Sequence, residues 1–130
     1  MSPDAVGVTF EVDERYKRLR RSVVPRSGDP YEQSVGFKDA DAIAHAVERL
    51  AEHGRGFDGF AVAEEAFGVS VTGTPRGTTM AYVFLAFCIE RGLISKENKR
   101  AAMYLEDGLT ALDMMVEVTG FNHRLEGGAS

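Results

Sequence analysis

Val6, Val8, Phe10 and Val12 alternate with Gly7, Thr9, Glu11 and Asp13, the period-two pattern of a strand with one buried face. Such a strand needs a partner, either elsewhere in the chain or in a second copy. The period then changes. Tyr16, Leu19 and Val23 recur at helical spacing with arginines on the remaining faces, which predicts a short basic helix capped by Asp13. Pro25-Arg26-Ser27-Gly28-Asp29-Pro30 breaks that helix and reads as a linker. Beyond it, Asp39 or Asp41 is expected to cap a helix whose stripe is Ile43, Val47, Leu50 and Ala51 and whose stop is Gly54. A shorter helix over residues 61–67 follows Phe57-Asp58-Gly59-Phe60 and closes at Gly68.

Residues 75–115 commit most clearly to a shape. Pro75 suits a first helical turn, because its missing N–H would be unpaired there and its φ is already helical. An apolar run from Met80 to Ile89 follows, and Gly92 suits the left-handed position just past the helix end. Arg91 lies in the last turn, against the negative end of the helix dipole. Leu93-Ile94 reads as a short strand, Glu97-Asn98-Lys99 as a polar turn, and residues 101–105 as the returning strand. Residues 110–118 form the next amphipathic helix, with Leu109, Leu112, Met115 or Val116, and Val118 to bury. The order is helix, strand, turn, strand, helix.

Composition narrows the class. A chain of 130 residues with 44% hydrophobic residues is expected to fold around one core, or one core with an appended arm. The longest apolar run, residues 80–89, is about half of the ~20 residues that span a bilayer, so no membrane is expected. Met1-Ser2-Pro3-Asp4 has no basic segment followed by an apolar block, and a cytoplasmic location is the expectation. The single cysteine, Cys88, lies inside the apolar run and reads as a buried hydrophobe.

Net charge is −5, so any contact with nucleic acid requires locally concentrated positive charge. Two concentrations exist. Arg15, Lys17, Arg18, Arg20, Arg21 and Arg26 face only Asp13 and Glu14 within residues 13–26. Arg76, Arg91, Lys96, Lys99 and Arg100 face only Glu90 and Glu97 within residues 75–100. Catalytic patterns do not emerge: no Gly-rich phosphate loop, metal-ligand spacing or nucleophile with a recognisable base is visible, and an enzyme is not expected. His45 and His53, two turns apart on one helix, read as surface or capping histidines, and His123 as equally unremarkable. No cofactor is expected.

Taken together, Val62-Ala63-Glu64-Glu65-Ala66-Phe67-Gly68-Val69-Ser70, Ile89-Glu90-Arg91-Gly92-Leu93-Ile94 and Met103-Tyr104-Leu105-Glu106-Asp107-Gly108-Leu109-Thr110-Ala111-Leu112 carry a family likeness. Residues 39–118 resemble a winged helix-turn-helix domain of MarR-like and PadR-like bacterial transcription regulators. The resemblance implies a mainly α fold with a small β-hairpin wing (α+β). With the readings above, the chain is expected to divide into an N-terminal strand and basic helical arm (1–30), a winged-helix domain (31–122) and a disordered tail (123–130).

Helix-turn-helix docking puts the start of the second helix against base edges. That role falls to Arg76, Thr78, Thr79 and Tyr82, with Lys96, Lys99 and Arg100 on the wing and Arg18 and Arg21 on the arm holding phosphates. The expected partners are double-stranded DNA and a second copy of the chain; Met114 and Met115 of the closing helix are adaptable residues that suit such a face, and filling the core suits them equally well. A rival expectation is a winged-helix module that binds protein and not DNA, because a helix apolar on nearly every face is normally buried.

Overall fold

In the computed structural model, residues 5–54, 56–68, 75–97 and 102–121 are described. The expected first strand is β1 (Ala5–Asp13). It pairs antiparallel with β2 (Arg18–Pro25), which pairs in turn with β3 (Tyr31–Gly36). Val12, Leu19 and Val35 sit side by side across the three strands and are all buried. The N-terminal strand therefore finds its partner within its own chain.

The expected basic helix is a strand, and the reason is visible in its spacing. Leu19 and Val23, four positions apart, satisfy a helical stripe and a strand face equally well. Pairing decides between them: as a strand, β2 satisfies the hydrogen bonds of β1 and places Arg20 opposite Glu11. Asp13 caps no helix; its Oδ1 accepts from the Tyr16 N–H at 3.0 Å and so shapes the β1–β2 turn. The stretch from Pro25 to Pro30 joins two neighbouring strands of one sheet, so β1 and β2 are continuous with β3.

Strand β3 runs directly into α1 (Phe37–Ala51), whose N-cap is Gly36 and not Asp39 or Asp41. The Phe37 N–H donates to the Lys17 carbonyl at 2.7 Å, which ties the β1–β2 turn to the start of the helix. Ala40, Ile43, Ala44, Ala46 and Val47 are buried, a wide stripe suited to a helix packed on several neighbours. His45, exposed, brings its Nδ1 to 2.8 Å from the Asp41 carbonyl.

Between α1 and α2 (Gly59–Phe67), Phe57 exchanges two backbone hydrogen bonds with Met103, at 3.0 and 2.8 Å. Asp58 then caps α2 through Ala61 N–H at 2.8 Å. A Cβ on Gly59 would lie 2.5 Å from the ring of Tyr82, so the tyrosine lies on the start of α2 and glycine makes room for it.

Helix α3 (Pro75–Glu90) carries the apolar run. Gly77, Met80, Ala81, Val83, Phe84, Leu85, Phe87 and Cys88 are buried, because the helix is clasped by α1 and α2 on one side and by β2 and β3 on another. Arg76, Tyr82 and Glu90 remain exposed, with Thr78, Thr79, Ala86 and Ile89 half-buried beside them. Gly92, at φ +77°, ends the helix; Leu93 N–H donates to Cys88 and Gly92 N–H to Ile89, the paired closure of a Schellman motif.

A short hairpin follows, β4 (Ile94–Lys96) against β5 (Met103–Leu105), one residue later than the expected first strand. Its expected turn, residues 97–99, lies mostly outside the described residues. Helix α4 (Ala111–Thr119) opens with a capping box between Thr110 and Asp113, and the Ala111 N–H donates to Glu48 of α1. Met114 and Val118 face inward. Met114 is thus core and not a contact for a second copy; the exposed apolar residues of α4 are Leu112 and Val116. The described chain is α+β, with a three-stranded sheet in addition to the small hairpin. The expected tail, 123–130, lies outside the described residues.

Candidate functional site

Four chain segments converge at the leading end of α3. They are the β1–β2 turn, the end of β3, the start of α1 and the first turns of α3, and they enclose an open cleft of about 620 Å³. Tyr16, Arg18, Ser34, Gly36, Asp39, Arg76, Thr79 and Met80 line it. Each is placed by a feature already described. The capped turn fixes Tyr16, strand pairing fixes Arg18 and Ser34, and the buried arc of α3 turns Arg76 and Thr79 outward.

Positive charge reaches the cleft from two sides. Arg76 is exposed, and among the described residues it has no carboxylate partner. Across from it, the Arg18 guanidinium lies 5.1 Å from the centre of the Tyr16 ring, and its Nε is 4.0 Å from Asp13. That Nε is shut off from solvent and makes no hydrogen bond. Asp39 brings one negative charge to the same lining.

The sheet surface next to the cleft is largely neutralised. Arg20 lies 3.2 Å from Glu11, 3.0 Å from Asp13 and 3.9 Å from Glu32. Tyr16 N–H, and after it the charges of Arg20 and Arg18, hold the Asp13 carboxyl below its ordinary range. Arg21 points to the opposite face of the sheet, beside Leu19 and Val23, and donates to Gln33 Oε1 at 2.8 Å. It is therefore removed from the candidate site by the strand geometry that replaced the expected helix.

Of the remaining expected residues, Arg18, Arg76 and Thr79 come together around the cleft. Thr78 and Tyr82 continue along the open side of α3, and Lys96 stands exposed on β4. Lys99 and Arg100 lie outside the described residues. Sequence reasoning missed Tyr16, Ser34 and Asp39. Tyr16 could have been found from Asp13-Glu14-Arg15-Tyr16-Lys17, where an Asp followed by charged residues signals a turn. Ser34 and Asp39 carry no comparable signal.

No protein-family model, characterised protein or solved structure matches this chain. The site must be read from its own chemistry.

Two guanidinium groups with threonine, serine and tyrosine hydroxyls around an open cleft suit the non-bridging oxygens of a phosphodiester. Cys88, buried beneath the opposite side of α3, does not reach the cleft, and burial pushes its thiol well above the ordinary range. Among the described residues no group of three or more His, Cys, Asp or Glu side chains gathers as a metal site. No described helix is long and apolar enough to cross a membrane.

Proposed function

We propose that the chain is a winged helix-turn-helix protein that binds double-stranded DNA and regulates transcription as a homodimer. In this reading α2 and α3 form the helix-turn-helix, and β4 and β5 form the wing. The element order of residues 37–121 supports it, as does the Phe57 bridge that extends the hairpin on its Met103 side.

The observation that carries the proposal is the meeting of Arg18, Arg76 and Thr79 at the leading end of α3. A helix entering a major groove leads with its N-terminal turn. There Arg76 can reach a guanine edge or a phosphate, Thr78 and Thr79 a thymine methyl or a phosphate, and Tyr82 the next backbone position. Lys96 would approach the backbone from the hairpin. The buried arc of α3 belongs to the fold, so only this leading turn and the open stripe behind it are available for recognition.

Net charge of −5 makes the binding depend on these few cations and therefore on salt. Fluorescence anisotropy of the full chain against a pool of random duplexes at low salt tests the proposal. Binding that weakens at least tenfold in Arg76→Ala is expected; absence of binding to every duplex at low salt refutes it.

A second reading rests on a different observation. The open stripe of α3 behind Arg76 runs Tyr82, Ala86, Glu90 without a cation, and Leu112 and Val116 of α4 are 72% and 53% exposed. These features suit a module that binds protein. The homodimer would use the same α4 stripe. Arg76→Ala separates the two readings: it weakens the duplex binding of a DNA-binding homodimer and leaves a protein-binding module unaffected.

A further inference from the structure

We infer that the β1–β2 turn, residues 14–17 together with Arg18, is a second clamp on the DNA backbone, placed ahead of α3 as the hairpin is placed behind it. The inference rests on the DNA-binding reading above and deepens it, adding Arg15 and Lys17 to the phosphate contact expected of Arg18.

The turn is built to hold cations in place. Arg15 and Arg18 both lie over the ring of Tyr16, at 5.4 and 5.1 Å from its centre, so one aromatic fixes two guanidinium groups through their attraction to its face. Tyr16 is itself 61% exposed, which leaves the pair open to a ligand. Lys17 adds a third exposed cation, at φ +52°. Two bonds hold the turn rigid. Asp13 Oδ1 accepts from Tyr16 N–H at 3.0 Å, and the Lys17 carbonyl accepts from Phe37 N–H at 2.7 Å.

Charge is conserved for the ligand by the neighbouring strand. Arg20 takes up Glu11 and Asp13, so the nearest carboxylates on the sheet are largely occupied by a residue that does not face the cleft. Among the described residues neither Arg15 nor Lys17 has a carboxylate partner. Tyr16 and Arg18 line the same cleft as Arg76 and Thr79, so a duplex that meets the leading turn of α3 brings its adjacent phosphates to the turn. Because the guanidinium groups are held by Tyr16 and carried on a turn outside the helix, they serve phosphates and not base edges.

The test compares the full chain with Arg15→Gln/Lys17→Gly, in which glycine keeps the left-handed backbone of position 17. Duplex affinity is measured across a salt series. Each lost phosphate contact lowers the slope of log K against log salt by about 0.9. A slope reduced by roughly 1 to 2, with affinity falling by a similar factor on every duplex sequence, is the expected result. Tyr16→Ala, which removes the ring beneath both guanidinium groups, should lose part of the slope. An unchanged slope in Arg15→Gln/Lys17→Gly, in a chain whose binding still depends on Arg76, overturns the clamp and leaves the DNA-binding reading intact. Absence of duplex binding by the natural chain overturns that reading, and the clamp with it.

Discussion

Phe87 joins parts of the chain that the sequence pattern assigns to different units. It is fully buried on α3 and meets Phe10 of β1 edge-on at 5.5 Å and Phe121, just past α4, edge-on at 5.3 Å. Phe87→Ala removes a whole buried ring and is expected to cost about 3–5 kcal/mol. Against a total of roughly 5–15 kcal/mol for a domain, that change brings the chain near the limit of folding.

A milder perturbation measures the link more cleanly. Phe87→Leu keeps apolar volume and loses the two ring pairs, each worth about 0.5–1.5 kcal/mol beyond its buried area. Its expected cost is ~1–3 kcal/mol by the same reckoning. Combining it with Phe10→Leu in a double-mutant cycle should give a coupling of about 0.5–1.5 kcal/mol. Urea unfolding followed by far-UV circular dichroism and by tyrosine signals supplies the free energies. Tyr16 and Tyr31 report on the three-stranded sheet, Tyr82 on α3 and Tyr104 on the hairpin. Strictly additive substitutions, or a sheet that unfolds in a separate transition from the helices, would refute a core shared between them.

Three further outcomes follow from local geometry. Gly59→Ala pushes a methyl into the far end of the Tyr82 ring at 2.5 Å; because that ring is half exposed and can swing outward, a cost at the low end of overpacking, about 1 kcal/mol, is expected in urea titrations and should be relieved when Tyr82→Ala is added. Thr110→Ala removes the side chain that accepts from the Asp113 N–H and should lower stability by about 1 kcal/mol, read as a lower urea midpoint at unchanged slope. Asp13 has a folded pKa below its unfolded one, so its contribution is complete above the ordinary carboxylate range and is lost as pH falls toward the folded value. Asp13→Asn should therefore lower stability at neutral pH and flatten this acid-side dependence, and an unchanged acid limb of the pH–stability curve would count against it.

Much of the local structure was legible from residues alone. Alternation in Val8, Phe10 and Val12 announced β1. Pro75 and Gly92 bracketed α3, and residues 110–118 announced α4 with little shift in its bounds. In each case the signal is a backbone preference or a periodicity that needs no distant partner. The boundaries of α1 were misplaced because Asp39 and Asp41 look like caps, whereas β3 leads straight into the helix through Gly36.

Leu19 and Val23 show where that legibility ended. Their spacing fits two secondary structures, and only the unpaired edge of β1 and the incoming β3 select the strand. The same selection decided the electrostatics. A helix would have spread Arg18, Arg20 and Arg21 around its surface, but the strand sends Arg20 to Glu11 and Asp13, Arg21 to Gln33 on the other face, and Arg18 to the cleft beside Arg76. Residue order determined which segments could be helices or strands, because that depends on neighbours a few positions away. Which cations stay available, and which of them meet at one cleft, depends on the register between segments far apart in the chain, and only the folded chain decided it.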